Sequence, residues 1–178
     1  MNRTRLLTTM AVLVAIGTLG SQFLWFPAGI AKAYPVQHAV NVIAGVILGP
    51  VPALTIAFMI GLLRNMLGIG SIMAFPGGMA GAFLAGYLYQ RFRKYKWAVV
   101  GEIIGTGIIG ALFSALFATF LMGNRVGALF FMPPFLVSSI SGALIGWAIV
   151  VRVKRVLQKQ SISKSKETIT TNERERMN

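Results

Sequence analysis

Long stretches of the chain carry no charge, and short clusters between them carry nearly all of it. Uncharged runs occupy 6–31, 33–63, 65–90, 103–124 and 126–151. A helix crossing a hydrocarbon core needs about 20 mostly apolar residues at about 1.5 Å each, so every run is long enough for a crossing. The 33–63 run contains Gly49-Pro50-Val51-Pro52, where proline lacks an amide donor and clashes one turn back. It reads as a tight turn joining two spans. The pattern therefore predicts six helices, over roughly 6–26, 35–48, 51–67, 74–90, 98–121 and 133–152. The second is short, which implies that it is untilted or stops short of a full crossing. The fold class expected is an all-α integral membrane bundle over 1–155. Residues 156–178 form a polar tail, rich in Ser, Thr, Lys and Glu from Gln158 onward, a composition that predicts disorder.

Composition narrows the class further. Of 178 residues, 56% are hydrophobic and 12% charged, whereas soluble domains draw about a quarter of their residues from the charged set. There is one His, no Cys and no Asp. The net charge of +13 would suit a nucleic-acid partner only if it formed a basic patch on a folded surface. Here the charges punctuate apolar runs, so the partner expected is the lipid bilayer and not nucleic acid. A soluble enzyme and a disulfide scaffold are excluded.

Charge also orients the bundle. With the N-terminus in the cytoplasm, the inner segments carry Arg3 and Arg5, then Arg91, Arg93, Lys94 and Lys96, then Arg152, Lys154 and Arg155. The outer loops and helix ends carry only Lys32, Arg64 and Arg125. That asymmetry obeys the positive-inside rule and predicts both termini inside, in a multi-pass protein of the cell membrane. Trp25, Trp97 and Trp147 fall near the predicted interfaces, where indole is favoured. Ala31-Lys32-Ala33 resembles a signal-peptide cleavage site, but the 21 residues of 6–26 exceed the roughly 7–15 of a signal h-region. The first segment reads as a retained helix.

Lipid supplies no hydrophobic reason for helices to associate, so small residues must permit close backbone approach. They recur at four-residue spacing in Gly77, Gly81 and Ala85, in Gly101 and Gly105, in Gly107, Ala111 and Ala115, and in Ser138, Gly142 and Gly146. Bundle packing accounts for these. Ala11 and Ala15 make a similar stripe on the first helix, open to two readings: packing inside the bundle, or docking of a second membrane protein.

Polar side chains inside a bilayer are expensive, so their positions are informative. Gln37, His38 and Asn41 share one face of the second helix, just after Tyr34-Pro35. The Gly49-Pro50 turn makes helices two and three antiparallel neighbours and brings Arg64 and Asn65 to the same end. Phe75-Pro76-Gly77-Gly78 and the last outer loop, with Asn124 and Arg125 before Phe130, Phe131 and Met132, converge there too. The candidate substrate-binding residues are Tyr34, Gln37, His38, Asn41, Arg64, Asn65, Phe75 and Asn124. An apolar pocket with a few placed polar groups suits a small heteroaromatic ligand. Glu102, early in helix five, is expected to pair with Arg91, Arg93 or Lys94; a role inside the bundle is the alternative.

What is missing bears on mechanism. No G-x-x-x-x-G-K-[ST] phosphate loop is present. Ion-driven carriers usually place carboxylates at mid-membrane depth, and the body of this chain has Glu102 alone. Multi-histidine metal sites and cysteine nucleophiles are excluded, and a Ser–His pair of His38 with Ser138 or Ser139 lacks an Asp to orient it. No catalytic residue is expected, and no cofactor bound by this chain. A channel would need a polar stripe through its full depth. A ligand-capturing subunit without a motor of its own remains, with a membrane-embedded enzyme or scaffold as the reading from another class.

On these residues the chain resembles an S component, the substrate-capture subunit of energy-coupling factor (ECF) transporters. Within that class it resembles the ThiW family, through Tyr34-Pro-Val-Gln-His-Ala-Val-Asn41, Ile43-Ala-Gly-Val-Ile-Leu-Gly-Pro50, Leu63-Arg-Asn65, Ala74-Phe-Pro-Gly77 and Gly101-Glu-Ile-Ile-Gly-Thr-Gly107. The resemblance implies uptake of the thiazole precursor of thiamine, hydroxyethylthiazole; the aminopyrimidine precursor, thiamine itself or another vitamin is the alternative cargo. It implies a transmembrane T subunit and two ATPase subunits that use ATP, with Ala11 and Ala15 facing the T subunit. It also implies a first outer loop acting as a lid, and a loaded subunit that reorients bodily.

Overall fold

The computed structural model describes residues 2–29, 31–123 and 127–177. Helix α1 (Arg3–Phe23) opens on Asn2, whose side chain accepts from the Arg5 amide at 3.0 Å and caps the first turn. A short antiparallel hairpin follows, β1 (Phe26–Ala28) and β2 (Ala31–Ala33), pairing Phe26 with Ala33, Pro27 with Lys32 and Ala28 with Ala31. Gly29 takes φ 65° at its turn, a conformation that costs glycine little. The sequence pattern predicts only a loop here, because three-residue strands leave no hydrophobic period to read.

Helix α2 (Pro35–Ile47) starts on proline, whose missing amide costs nothing in a first turn. At 13 residues it rises about 20 Å, less than the roughly 30 Å of a hydrocarbon core. It begins deep, beneath the hairpin. Gly49, at φ 92°, turns the chain into α3 (Pro50–Met66), so the predicted turn stands where expected. Helix α4 (Ala74–Phe92) ends on Arg93 in the left-handed conformation.

The fifth predicted helix is continuous but not uniform. It runs as α5 (Tyr95–Glu102), a π-helical stretch π1 (Ile103–Gly110) and α6 (Ala111–Met122). π-Helical turns widen the backbone spiral and recur at functional sites. The last helix, α7 (Ala128–Met177), starts a turn before the expected position and contains Pro133 and Pro134. Both prolines lie near its start, so their missing donors strand only the carbonyls of Leu129 and Phe130. Its backbone stays helical through the polar tail to Met177.

Helix α4 packs against α2, α3, α5 and π1, and α7 lies along α2. The glycine stripes make these approaches possible. A Cβ on Gly105 would sit 2.5 Å from the Gly81 Cα, one on Gly77 would sit 2.9 Å from the Gly110 Cα, and one on Gly45 would sit 2.7 Å from the Gly86 nitrogen. The apolar core gathers Leu13, Val40, Ala44, Ile56 and Ile60 between α1, α2 and α3. Among the described residues, the helical stretches Arg3–Phe23, Tyr95–Phe120 and Ala128–Val156 are long and apolar enough to cross a membrane, with Pro35–Ile47 and Pro50–Met66 as shorter apolar helices.

Candidate ligand-binding site

The deep start of α2 puts its polar face into the bundle instead of at its rim. Gln37 and His38 are buried, and Asn41 is completely so. Counted up from the Gly49 turn, His38 stands roughly three turns high, and Glu102 stands roughly two turns above the start of α5. Their side chains bridge the difference. His38 Nδ1 lies 2.7 Å from Glu102 Oε1.

Two further side chains converge on that carboxylate. Asn41 Nδ2 donates to Glu102 Oε1 at 3.1 Å and to the Gly78 carbonyl at 3.1 Å. Those two acceptors settle which end of the amide is nitrogen. Thr106, one turn beyond Glu102, lies 2.9 Å from the same oxygen and 3.1 Å from the Gly77 carbonyl. Glu102 is 0% exposed. Its Oε2 and the Asn41 Oδ1 have no hydrogen-bond partner. A buried carboxyl group needs such partners, since burying it without them is costly.

Above this floor lies a cavity of about 240 Å³. Its polar side chains are Lys32, Tyr34, Gln37, His38, Arg64, Ser71, Thr106 and Ser138, and Met73, Phe131 and Phe135 supply apolar walls. No carboxylate lines it among the described residues. Arg64 is buried, with its guanidinium carbon 3.8 Å from the centre of the Tyr34 ring. It donates through Nη1 to Gln37 Oε1 and through Nη2 to the Ile69 carbonyl at 3.2 Å, while Nε has no partner. The hairpin closes over this end: the Tyr34 amide donates to Ser138 Oγ at 2.8 Å, tying its exit to α7. Lys32 Nζ stands 4.0 Å from the Trp25 ring. The arrangement can hold one flat ring between aromatic walls and offer hydrogen bonds at its edge.

Of the residues proposed from sequence, Tyr34, Gln37, His38 and Arg64 line this cavity together. Asn41 lies beneath its floor. Asn65 and Phe75 line a separate crevice of about 10 Å³ beside Gln37 and Arg64. There the Asn65 amide donates to the Gly61 carbonyl at 2.8 Å, and Phe75 meets Phe58 edge to face at 5.3 Å. Asn124 falls outside the described residues, as does Arg125.

The expected pairing of Glu102 with Arg91, Arg93 or Lys94 is overturned. Its partners are His38, Asn41 and Thr106. Depth counted along helix five placed it near the basic loop, but α2 begins so far into the bundle that His38 comes down to meet it. One signal pointed the other way: Glu102 is the single acid of residues 6–151, and Thr106 follows it at helical spacing. Ser138 and Phe135 were missed because nothing in α7's sequence marks which face meets the hairpin.

A comparison with known families decides what kind of protein holds this cavity. The family model described as "Thiamine-precursor transporter protein (ThiW)" matches residues 7–156. The chain belongs to the ThiW family. A solved structure described as "Structure and mechanism of the S component of a bacterial ECF transporter" matches this ThiW chain with a TM-score of 0.62 at 18% identity, covering 89% of this chain and 98% of that one. At that identity the likeness is one of fold, and the ThiW chain has the S-component fold. No curated protein matches it. The ThiW chain is thus a membrane transporter component and not an enzyme.

Proposed function

We propose that this ThiW chain is the substrate-capture subunit of an ECF-type importer in the plasma membrane, with hydroxyethylthiazole, the thiazole precursor of thiamine, as its cargo. The observation that carries this is the cavity under the hairpin. Its volume of about 240 Å³ falls below the roughly 300–1,000 Å³ typical of drug-sized ligands, which suits one substituted ring better than the two joined rings of thiamine. Phe131, Phe135 and Met73 offer apolar faces to a thiazole, and Tyr34, Gln37, His38 and Arg64 offer hydrogen bonds to its edge and side chain.

In this reading the six-helix bundle lies in the membrane with both termini inside and α2 stopping short of a full crossing, in accord with the basic clusters at Arg91–Lys96 and Arg152–Arg155. The hairpin end then faces outward, where cargo arrives. The chain has no G-x-x-x-x-G-K-[ST] phosphate loop, and in this reading ATP is spent by two ATPase subunits through a transmembrane T subunit. Ala11 and Ala15 are exposed on α1, while Leu13, Gly17 and Ser21 of the same helix are buried. The exposed pair is a surface for the T subunit.

The test is thermal unfolding of the purified protein in detergent with hydroxyethylthiazole, the aminopyrimidine precursor and thiamine. A ligand that binds only the folded state adds RT ln(1 + [L]/Kd), about 2.7 kcal/mol at one hundred times Kd. A rise in Tm with the thiazole, and none at equal concentration with the other two, is expected. A rise confined to the aminopyrimidine would reassign the cargo, and no rise with any of the three would remove the capture role.

A further inference from the structure

The imidazole at the cavity floor has one nitrogen spoken for and one free. His38 Nδ1 faces Glu102 Oε1 at 2.7 Å. That oxygen also accepts from Asn41 and lies within reach of the Thr106 hydroxyl, an acceptor role that favours placing the proton between imidazole and carboxylate on Nδ1. A carboxylate that holds Nδ1–H fixes both the tautomer and the orientation of the ring. A neutral imidazole with its proton on Nδ1 presents a lone pair at Nε2. Nε2 bonds to no described residue, and it is not among the buried unpartnered atoms, unlike Glu102 Oε2 and Asn41 Oδ1. His38 itself lines the cavity.

Of the other polar side chains in the lining, Tyr34, Ser71, Thr106 and Ser138 carry hydroxyl oxygens that can also accept, but each is a weaker acceptor than an imidazole nitrogen. Lys32 and Arg64 can only donate. Gln37 has given its oxygen to Arg64. Thr106 and Ser138 are also engaged with the protein, Thr106 with Glu102 or Gly77 and Ser138 with the Tyr34 amide. We infer that Glu102 is a positioning residue that turns His38 Nε2 into the acceptor for a hydroxyl proton of the ligand, so that the site selects small heteroaromatic alcohols over the same ring without an O–H. This rests on the thiazole reading above, in which the hydroxyethyl arm would reach the floor and the ring would lie between the aromatic walls.

Two measurements test it. The chain has one histidine, so nitrogen NMR on protein with isotope-labelled histidine reports His38 alone, with or without ligand. A protonated Nδ1 beside an unprotonated Nε2 is expected; a proton on Nε2, or on both nitrogens, overturns the inference. Binding is then compared for hydroxyethylthiazole and its methyl ether, which keeps the oxygen and loses the proton. The wild type should favour the alcohol by about tenfold or more, as expected when a buried acceptor is left without its donor. Glu102→Met should erase that preference, while Asn41 and Thr106 keep their bonds to Gly78 and Gly77. Glu102→Gln, whose side-chain oxygen still accepts from Nδ1, should restore it. Equal binding of alcohol and ether to the wild type overturns the inference and leaves the cargo class standing. If neither compound binds, the cargo assignment fails and the tautomer spectrum alone decides the role of Glu102.

Discussion

Asn41 supports the candidate site from outside the cavity's lining. Its amide bridges the Gly78 carbonyl and Glu102, joining α2, α4 and α5 at one buried point. Removing a buried partner costs about 1–3 kcal/mol, because the groups left behind have no water to turn to. Asn41→Leu should therefore lower the Tm of the ligand-free protein by that equivalent, measured by thermal unfolding in detergent; an unchanged Tm would show that the bridge contributes nothing. Asn41 was legible as a polar residue on an apolar helix, and its neighbourhood with Gln37 and His38 followed from spacing alone. Glu102 was visible as the one acid of the body, but its partners were not. A contact across 61 residues of sequence depends on the relative depth of two helices, which neither helix records.

At the scale of elements, the apolar runs and their punctuation placed each helix core, and the Gly49-Pro50 turn stands as expected. What escaped was irregular. The hairpin is too short to carry a period, π1 differs from an α-helix only in its hydrogen-bond register, and α7 begins a turn before its proline pair. Close approach between elements depends on single glycines. A Cβ on Gly142 would overlap the Pro35 carbonyl and lie 2.6 Å from the His38 Cβ, so α7 would push directly on the first turn of α2. Gly142→Ala is expected to cost about 1–3 kcal/mol of stability through overpacking and to weaken ligand binding by displacing His38. Gly127, where an added Cβ would meet nothing within 4 Å, supplies the control: Gly127→Ala should leave both Tm and binding unchanged. Equal behaviour of the two variants would refute the contact.

For the molecule as a whole, the proposed capture site and the proposed docking stripe fall on different surfaces. The cavity lies under the hairpin, while Ala11 and Ala15 stand exposed on the outer side of α1, away from the residues that α1 buries. Small side chains there admit close approach of another helix. Replacing both by leucine should leave ligand-induced stabilisation intact in detergent and abolish uptake in cells that supply the partner subunits. Loss of binding with retained uptake would reverse the roles assigned to the two surfaces.

The sequence by itself determined the solvent this chain folds in, the helices and their order, and the small-residue stripes by which they approach. Those features are local or periodic, and twenty apolar residues in a row have few other physical solutions. It also nominated Tyr34, Gln37, His38 and Arg64 as a group, since spacing on α2 and one tight turn suffice to bring them together. Only the tertiary structure decided that α2 starts deep, that Glu102 rises to meet His38 just before π1 begins, and that Ser138, Phe131 and Phe135 of α7 wall the same cavity. Depth and rotation of packed helices are set by the sum of many close contacts between distant segments, and no single segment contains that sum.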